Sequence, residues 1–467
     1  VAAGGGYDFL ICLFFSMPAV KEMTSGRPLP LILNFSVPLL LGNMLQQTYS
    51  IVDAAIVGQC LGINALASVG ASGSVIFLIL GFCNGCCGGF AIPVAQKFGA
   101  RDYRSMRRLV AMSFKVSGIM AVLVAAVTCV LCPYILHWMQ TPEVIFSDAN
   151  AYLFVTFLGI PATLFYNLLS SVIRALGDSK TPSWFLLFST VLNIVLDLVC
   201  ILVLGWGVAG AAIATVVAQA VSAVLCYVYM KKKFAILHMQ EGDNRWHAGL
   251  ARTLLSVGVP MGLQYSITAI GSIMLQSSNN ALGENYISAF TAAMRIKMFC
   301  MCPLDSLGMA MATYCGQNFG AGHPHRIWAG IKDASKLMLL YSAFMAVVLW
   351  SGAHIFARLF ISSHEQVVIG YTARFLHVSV SFFVALGVLS ILRYSIQGAG
   401  YTKLAMGSGV SEMIARVAVS VLAVPVWGYW AICFGDPIAW CCACLFLVPA
   451  FFYVYRQMKR RLQVQPV

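Results

Sequence analysis

The sequence predicts an all-α polytopic membrane protein, with twelve transmembrane helices in two six-helix lobes related by a parallel internal repeat. Three observations carry this. The chain of 467 residues is 60% hydrophobic and only 10% charged, against about 25% charged in soluble domains. Its apolar runs persist for the roughly 20 residues that cross a bilayer. Short motifs also recur about 221 positions apart, one half of the chain against the other.

Twelve apolar runs lie near 29–59, 64–95, 108–131, 146–172, 182–204, 207–230, 250–280, 286–317, 328–352, 366–397, 403–425 and 429–455; they are numbered span 1 to span 12. Basic residues gather after the even-numbered spans. Lys97, Arg101, Arg104, Arg107 and Arg108 follow span 2, and Arg174 and Lys180 follow span 4. Lys231, Lys232, Lys233 and Arg245 follow span 6, Arg326 and Lys332 span 8, Lys403 span 10, and "RQMKRR" (456–461) span 12. The loops after spans 1, 5, 7 and 11 hold no Lys or Arg, and Arg358 after span 9 is the exception on that side. Lys and Arg mark the cytoplasmic side. The expectation is a multi-pass protein of the cell (plasma) membrane with both termini cytoplasmic.

The formal charge of +13 would raise nucleic acid as a partner of a soluble protein. Here the basic residues sit in short loops, the membrane accounts for them, and no nucleic-acid partner is expected. The 16 cysteines include "CNGCC" (83–87) and "CCAC" (441–444). Neither has a Cys/His partner set at zinc spacing, so they read as small polarizable helix residues. No cofactor or structural metal is expected.

The repeat is read from four places. "AQKFGARD" (95–102) matches "GQNFGAGH" (316–323), "LGIN" (61–64) matches "LGEN" (282–285), and "WG" recurs at 206–207 and 427–428, each 221 positions on. "GDSK" (177–180) matches "GYTK" (400–403) at a shift of 223. Such a shift covers six spans, an even number, so the second copy enters the membrane the same way round as the first. The expected organisation is a first lobe over 23–230, a cytoplasmic linker over 231–249, a second lobe over 250–456 and a basic cytoplasmic tail over 457–467. Residues 1–22 have a short apolar stretch without a basic start. They read as an over-long start or a non-structural segment before Met23.

Most charges fall in loops or at helix ends, and the exceptions carry information because a charge inside a bilayer is costly. In the first half they are Asp53 and Asp197. With ~1.5 Å of rise per residue, each lies ~12 Å below the end of its helix, and Thr215 falls at a similar depth. Asn193 precedes Asp197 by four residues and shares its helix face. Two close carboxylates in a low dielectric cannot both stay ionised cheaply, so one holds a proton or a cation sits between them. The competing reading is two unrelated polar residues lining a watery cavity. In the second half the intramembrane charges are Arg295, Lys297, Asp305, Arg374, Glu412 and Arg416. Glu412 and Arg416 are spaced for an ion pair within span 11. A cross-helix pair of Asp305 with Arg295 or Arg416 is the other candidate contact, and His377 reads as a satisfied buried histidine. Gly81, Gly85, Gly88 and Gly89 on span 2 suit close helix packing.

From Met23 onward the chain resembles the multidrug and toxic compound extrusion (MATE) family. The resemblance rests on "PLLLGNMLQQTYSIVDAAIVGQCLG" with Asp53, "ALASVG" (65–70), "AQKFGA", "RALGDSKTP" (174–182), "LNIVLD" (192–197) and "GQNFGAG" (316–322). It implies a secondary active antiporter exporting organic cations or other amphipathic toxicants in exchange for H⁺ or Na⁺. It also implies that Asp53, Asn193, Asp197 and Thr215 form the cation-coupling set, with Na⁺ there as the one metal to consider. Tyr49, one turn before Asp53, supports that set. Gln46, Glu412, Arg416, Asp305 and Arg295 are further candidates for substrate or coupling contacts. The span 7 acid used by another branch of the family is absent, since that region reads "VPMGLQYSITAI" with Gln264. The expected partners are small amphipathic or cationic molecules and the lipid bilayer, and the expected state is a monomer. A flippase for lipid-linked sugar precursors, from the same superfamily, is the alternative function. An enzyme is not expected.

Overall fold

The computed structural model describes residues 21–139, 141–362 and 364–464. Among them are ten helices long and apolar enough to cross a membrane, and two bent helix pairs bring the number to twelve. Span 1 is Pro28–Leu61, span 2 Ile63–Gly99, span 3 Tyr103–Trp138, span 6 Gly207–Lys233, span 7 Ala248–Asn280, span 8 Glu284–Gly320, span 9 Pro324–Ala357 and span 12 Tyr429–Val464. Span 4 is Glu143–Leu158 followed by Ile160–Ala175, bent by 47°, and span 10 is Gln366–Ser381 followed by Phe383–Gly398, bent by 51°.

The apolar runs did not foretell these bends. In span 4 the break falls where Pro161, which has no backbone N–H, opens the second half; Gly159 beside it packs closely, since a Cβ there would lie 2.1 Å from Val216 Cγ2 on span 6. Spans 5 and 11 carry a second irregularity. Span 5 runs Lys180–Leu198 and then a π-helical turn, Val199–Val203; span 11 runs Thr402–Ala418, a π turn at Val419–Ala423, and Val424–Trp427. The two π turns start 220 positions apart. π turns inside α-helices often stand at functional sites, and the first starts two residues after Asp197.

The repeat extends to backbone conformation. Gly62 and Gly283 have φ of 89° and 122°, Gly177 and Gly400 both 88°, Gly207 and Gly428 58° and 53°. Positive φ favours glycine because it has no Cβ to clash, so the loop turns are copied along with the motifs. Arg101 (φ 57°) occupies the place that Gly322 (φ 74°) fills in the second copy.

Each lobe has its own apolar core. Phe90, Leu109, Phe157 and Leu169 belong to the first, and Tyr314, Ile369, Phe375 and Leu447 to the second. The N-terminal part of the described chain crosses over: Met23, ahead of span 1, and Ile32, Phe35 and Leu39 of its N-terminal half pack into the second core, whereas Val57 packs with Ala65, Ile201 and Ala211 of the first lobe. Span 7 returns the exchange, placing Ala251 and Leu254 in the first core.

Spans 2 and 7 cross at glycines. A Cβ at Gly85 would lie 2.7 Å from Gly262 Cα, and one at Gly89 2.5 Å from Gly258 Cα. Two facing pairs of glycines four residues apart let the backbones touch, the small-xxx-small packing of membrane helices. The linker is tied to the first lobe. Asp243 accepts from Arg107 Nε at 2.8 Å and from Arg108 Nε at 3.4 Å, and Lys115 reaches the Asn244 carbonyl.

The sequence-based reading of residues 1–22 falls largely outside the described residues. Lys21 and Glu22 are described. Lys21 N donates to the Leu176 carbonyl at 3.2 Å, and Glu22 pairs with Arg101 at 3.1 Å. Next to them, Met23 N donates to Gln317 Oε1 at 2.8 Å.

Candidate functional site

The first lobe brings together the residues that the sequence singled out. Tyr49 and Asp53 come from span 1, Asn193 and Asp197 from span 5, and Thr215 from span 6. The Tyr49 hydroxyl and Thr215 Oγ1 are 3.2 Å apart. The Asn193 amide fits its neighbours with its nitrogen toward Asp197 Oδ2 (3.0 Å) and the Tyr49 hydroxyl (2.8 Å) and its oxygen toward Thr215 N (2.9 Å). The Asp53 and Asp197 carboxyls are within hydrogen-bond reach of each other. Asp197 is fully buried and Asn193 nearly so.

Among the described residues, Oδ1 of both aspartates is buried without a hydrogen-bond partner. An unsatisfied buried carboxylate oxygen is costly, so the arrangement suits a guest that supplies what is missing. A proton shared by the pair does so, and so does a cation that takes oxygen ligands. Tyr152 of span 4 is the member that sequence reasoning missed; it lies close enough to feel both carboxylates. It stands in the first half of span 4, and spacing within one helix does not say that this face meets spans 1 and 5.

A second, larger feature lies between the lobes. A cavity of about 610 Å³ is lined by spans 1, 2, 4, 5, 7, 8, 10, 11 and 12, and none of the five first-lobe residues lines it. Gln46, Asn43 and Gln264 do. The cavity is closed at the end that carries the basic loops. There the two copies of the repeated motif meet. Gln96 Nε2 donates to the Gly398 carbonyl and Gln317 Nε2 to the Ala175 carbonyl, both at 2.9 Å. A Cβ at Gly99 would lie 1.9 Å from Gln317 O, and one at Gly320 1.8 Å from Gln96 O. At the other end Phe77 and Met298, which line the cavity, are 54% and 40% exposed.

The second-lobe wall of the cavity is ionic. Arg416 Nε donates to Asp436 Oδ1 at 2.8 Å and Arg416 Nη2 to Glu412 Oε2 at 3.3 Å. Lys297 pairs with Asp436, and Arg393 with Glu412. The Glu412–Arg416 pair expected within span 11 is therefore part of a five-residue network. Arg393 and Asp436 had not been counted as intramembrane charges, although they stand inside apolar runs ("LSILRYSIQ", "ICFGDPIAW") as Asp53 does. Arg174, assigned from the sequence to a loop, closes the last turn of span 4 and lines the cavity.

Three expectations are corrected. Asp305 lines the cavity, but among the described residues it forms no ion pair with Arg295 or Arg416; its carboxyl feels the Arg393 guanidinium instead. Arg295 is exposed and is not part of the cavity wall. His377 is stacked on Trp350 with ring centroids 4.6 Å apart; its ring hydrogen-bonds the backbone at Leu349 and Trp350 while its Nε2 is buried without a partner, so the expected satisfied histidine is satisfied at one nitrogen only. Arg374 packs over the rings of Trp430 and Tyr371. Among the described residues no group of three or more His, Cys, Asp or Glu could hold a metal ion.

Comparison with known proteins agrees with the two-lobe fold. The MatE family model matches the chain twice, over residues 38–199 and 257–422, one match per lobe. The "Probable multidrug resistance protein YpnP" of Bacillus subtilis (strain 168) is 29% identical over 379 residues, covering 81% of this chain and 84% of that protein. The "Probable multidrug resistance protein YoeA" of the same organism is 26% identical over 446 residues, covering 92% and 95%. A solved structure described as the outward-facing conformation of a multidrug resistance MATE family transporter of the MOP superfamily superposes with a TM-score of 0.87 at 23% identity, covering 94% of this chain and 98% of that one. At that identity the likeness concerns the fold.

Proposed function

The chain belongs to the MatE family of multidrug and toxic compound extrusion transporters, and from that premise we propose that it is a secondary active antiporter. It exports amphipathic small molecules across the cell membrane in exchange for H⁺ or Na⁺, as a monomer with both termini in the cytoplasm. The observation that carries this reading is spatial. The paired carboxyls of Asp53 and Asp197 lie in the first lobe, and the large cavity lies elsewhere, between the lobes. A cation and a substrate held in different places compete only through conformations that favour one or the other.

Asp53 and Asp197 take up the cation, either as a proton on the pair or as Na⁺ among carboxyl, amide and hydroxyl oxygens. Asn193 and Thr215 hold Asp197 in position, and Tyr49 closes the site toward span 1. Occupancy removes the charge that the buried pair cannot keep cheaply and changes how span 1 packs. The basic end, closed by the Gln96 and Gln317 contacts, is the cytoplasmic end, and the cavity faces outward.

The test is transport in proteoliposomes with pH and Na⁺ gradients imposed separately. Wild type should export under at least one of the two. Asp53→Asn and Asp197→Asn should each insert normally and lose gradient-driven export, with the double variant little worse because the pair acts as a unit. Full gradient-driven transport by a well-expressed Asp53→Asn protein would overturn the assignment.

A further inference from the structure

The charges that line the central cavity are unevenly satisfied. Four basic side chains face it, Arg174, Lys297, Arg393 and Arg416, against three acidic ones, Asp305, Glu412 and Asp436. Both oxygens of Glu412 and both of Asp436 already accept from Lys297, Arg393 or Arg416. Acceptor positions on those two acids are thus taken, while donors remain in surplus. Arg offers five N–H groups and Lys three. Arg416 is 4% exposed, and its Nη1 is buried without a partner among the described residues. Lys297, 4% exposed, makes one ion pair, to Asp436.

The first-lobe wall adds to the imbalance. Arg174 contributes a positive charge there, no acid from that lobe lines the cavity, and its side chain donates to Ser171 Oγ at 2.8 Å. Tyr265, whose hydroxyl meets that of Tyr394 at 3.3 Å, lies within electrostatic reach of both Arg174 and Arg393. Basic groups of the two lobes therefore converge on one region of the cavity. The remaining wall includes Phe77, Met261, Met294, Met298 and Met301, an adaptable apolar lining for a flat or irregular body.

We propose that the central cavity selects amphipathic organic anions, molecules with an aromatic or aliphatic body and one carboxylate, sulfonate or phosphate head, over organic cations of the same size. This rests on the exporter reading and narrows its substrate class. The head accepts from the free guanidinium nitrogen of Arg416, with Arg174 from the first lobe and Lys297, whose ammonium also lies over the Phe375 and Trp440 rings, supplying positive field around it. A charge-assisted pair with guanidinium is strong and directional. A monovalent cation would instead raise the positive charge of a half-enclosed site, and its one available carboxylate is Asp305.

Two probes that share a fluorophore test this, dansylglycine as the anion and dansylcadaverine as the cation. Binding to the purified protein, followed by dansyl emission, separates the proposal from transport competence. Dansylglycine should bind at least about tenfold more tightly, a difference that one charge-assisted contact supports. Arg174→Gln leaves no buried acid unpaired, so it is expected to fold, and it should weaken dansylglycine several-fold while leaving dansylcadaverine unchanged or slightly tighter. Arg174→Lys should restore most of the anion preference. Asp53→Asn should keep that preference and lose gradient-driven transport of dansylglycine. Equal or tighter binding of dansylcadaverine, or its loss in Asp305→Asn with dansylglycine unaffected by Arg174→Gln, would overturn the proposal. Selective dansylglycine binding without transport under any gradient would leave the cavity assignment standing and sink the exporter reading.

Discussion

Alanine at Gly99 tests whether the repeated motifs act as the closure at the basic end. The added Cβ would sit 1.9 Å from Gln317 O, whereas carbon–oxygen contacts between helices settle near 3.3 Å or beyond. The lobes must therefore part locally by roughly 1.4 Å. Neither partner can yield cheaply, because the obstacle is backbone on both sides. Overpacking of this kind costs about 1–3 kcal/mol, and it falls only on the conformation in which the lobes touch here. The closed-end population should drop by about 5- to 150-fold relative to the alternative. Spin labels carried by unnatural amino acids at Arg104 and Lys332, at the basic ends of spans 3 and 9, report the separation by double electron–electron resonance. Gly99→Ala should shift weight to longer distances, and Gly320→Ala, whose Cβ would lie 1.8 Å from Gln96 O, should do the same. Gly118→Ala is the control, since nothing lies within 4 Å of a Cβ there. Identical distance distributions for Gly99→Ala and Gly118→Ala would refute the closure.

Other consequences are open to direct measurement. Arg416 bridges Asp436 and Glu412 through different nitrogens, which a single ammonium cannot reproduce. Arg416→Lys and Arg416→Gln should both lower thermal stability in detergent, by about 1–3 kcal/mol, because Lys297 and Arg393 still pair with the two acids, and a lysine variant as stable as wild type would contradict the bridging role. In the linker, Arg107 beside Asp243 holds its carboxyl below the usual range. A depressed folded-state pKa means that the stabilisation is present above about pH 4 and fades as pH falls through the lower folded value. Hydrogen exchange across 238–247 should accelerate below about pH 4 in wild type, and already at pH 7 in Arg107→Gln. For orientation, native Cys60, which is exposed, should react with an impermeant maleimide added outside whole cells. Ser105→Cys in a Cys60→Ser background should resist it, and the reverse pattern would invert the topology.

Composition and motif spacing made the two-lobe plan legible because burial in lipid leaves a coarse signature: long apolar runs, basic loops on one side, and a copied turn chemistry. Asp53, Asn193, Asp197 and Thr215 were legible because depth along a helix can be counted from its end, and polar residues at one depth are few. Tyr152 was not, since spacing within span 4 does not say that its face meets spans 1 and 5. Arg393 and Asp436 broke the same rule that exposed Asp53, but they fall inside runs still apolar enough to pass as spans. Their pairing with Glu412, Arg416 and Lys297 is a matter of which helix faces meet, which spacing within one helix cannot give. The contact of Gln96 and Gln317 with the opposite lobe was hidden for another reason. The motif repeat was visible, but a repeat alone does not say that its copies touch.

Span 1 is where the proposed cation site and the lobe contact are mechanically joined. Asp53 sits on its C-terminal half, packed with the first lobe, while Ile32, Phe35 and Leu39 on its N-terminal half belong to the core of the second. Between them, ~15 Å from Asp53 along the helix, Asn43 Nδ2 donates to Ser306 Oγ of span 8 at 2.9 Å. If cation uptake is read out through span 1, this bond lies on the route, and a helix that repacks in one half must pull on it. Asn43→Ala removes about 1 kcal/mol of interaction, enough to weaken coupling about fivefold. Cation-dependent changes near Asp53, followed by a fluorophore on native Cys60, which is exposed and two turns further along span 1, should persist, while gradient-driven transport falls. Thr48→Ala is the matched control, because its hydroxyl bonds only within its own helix, to Met44 O at 3.0 Å. Unchanged transport in Asn43→Ala, or loss of the cation response along with transport, would show that the two lobes communicate by another path.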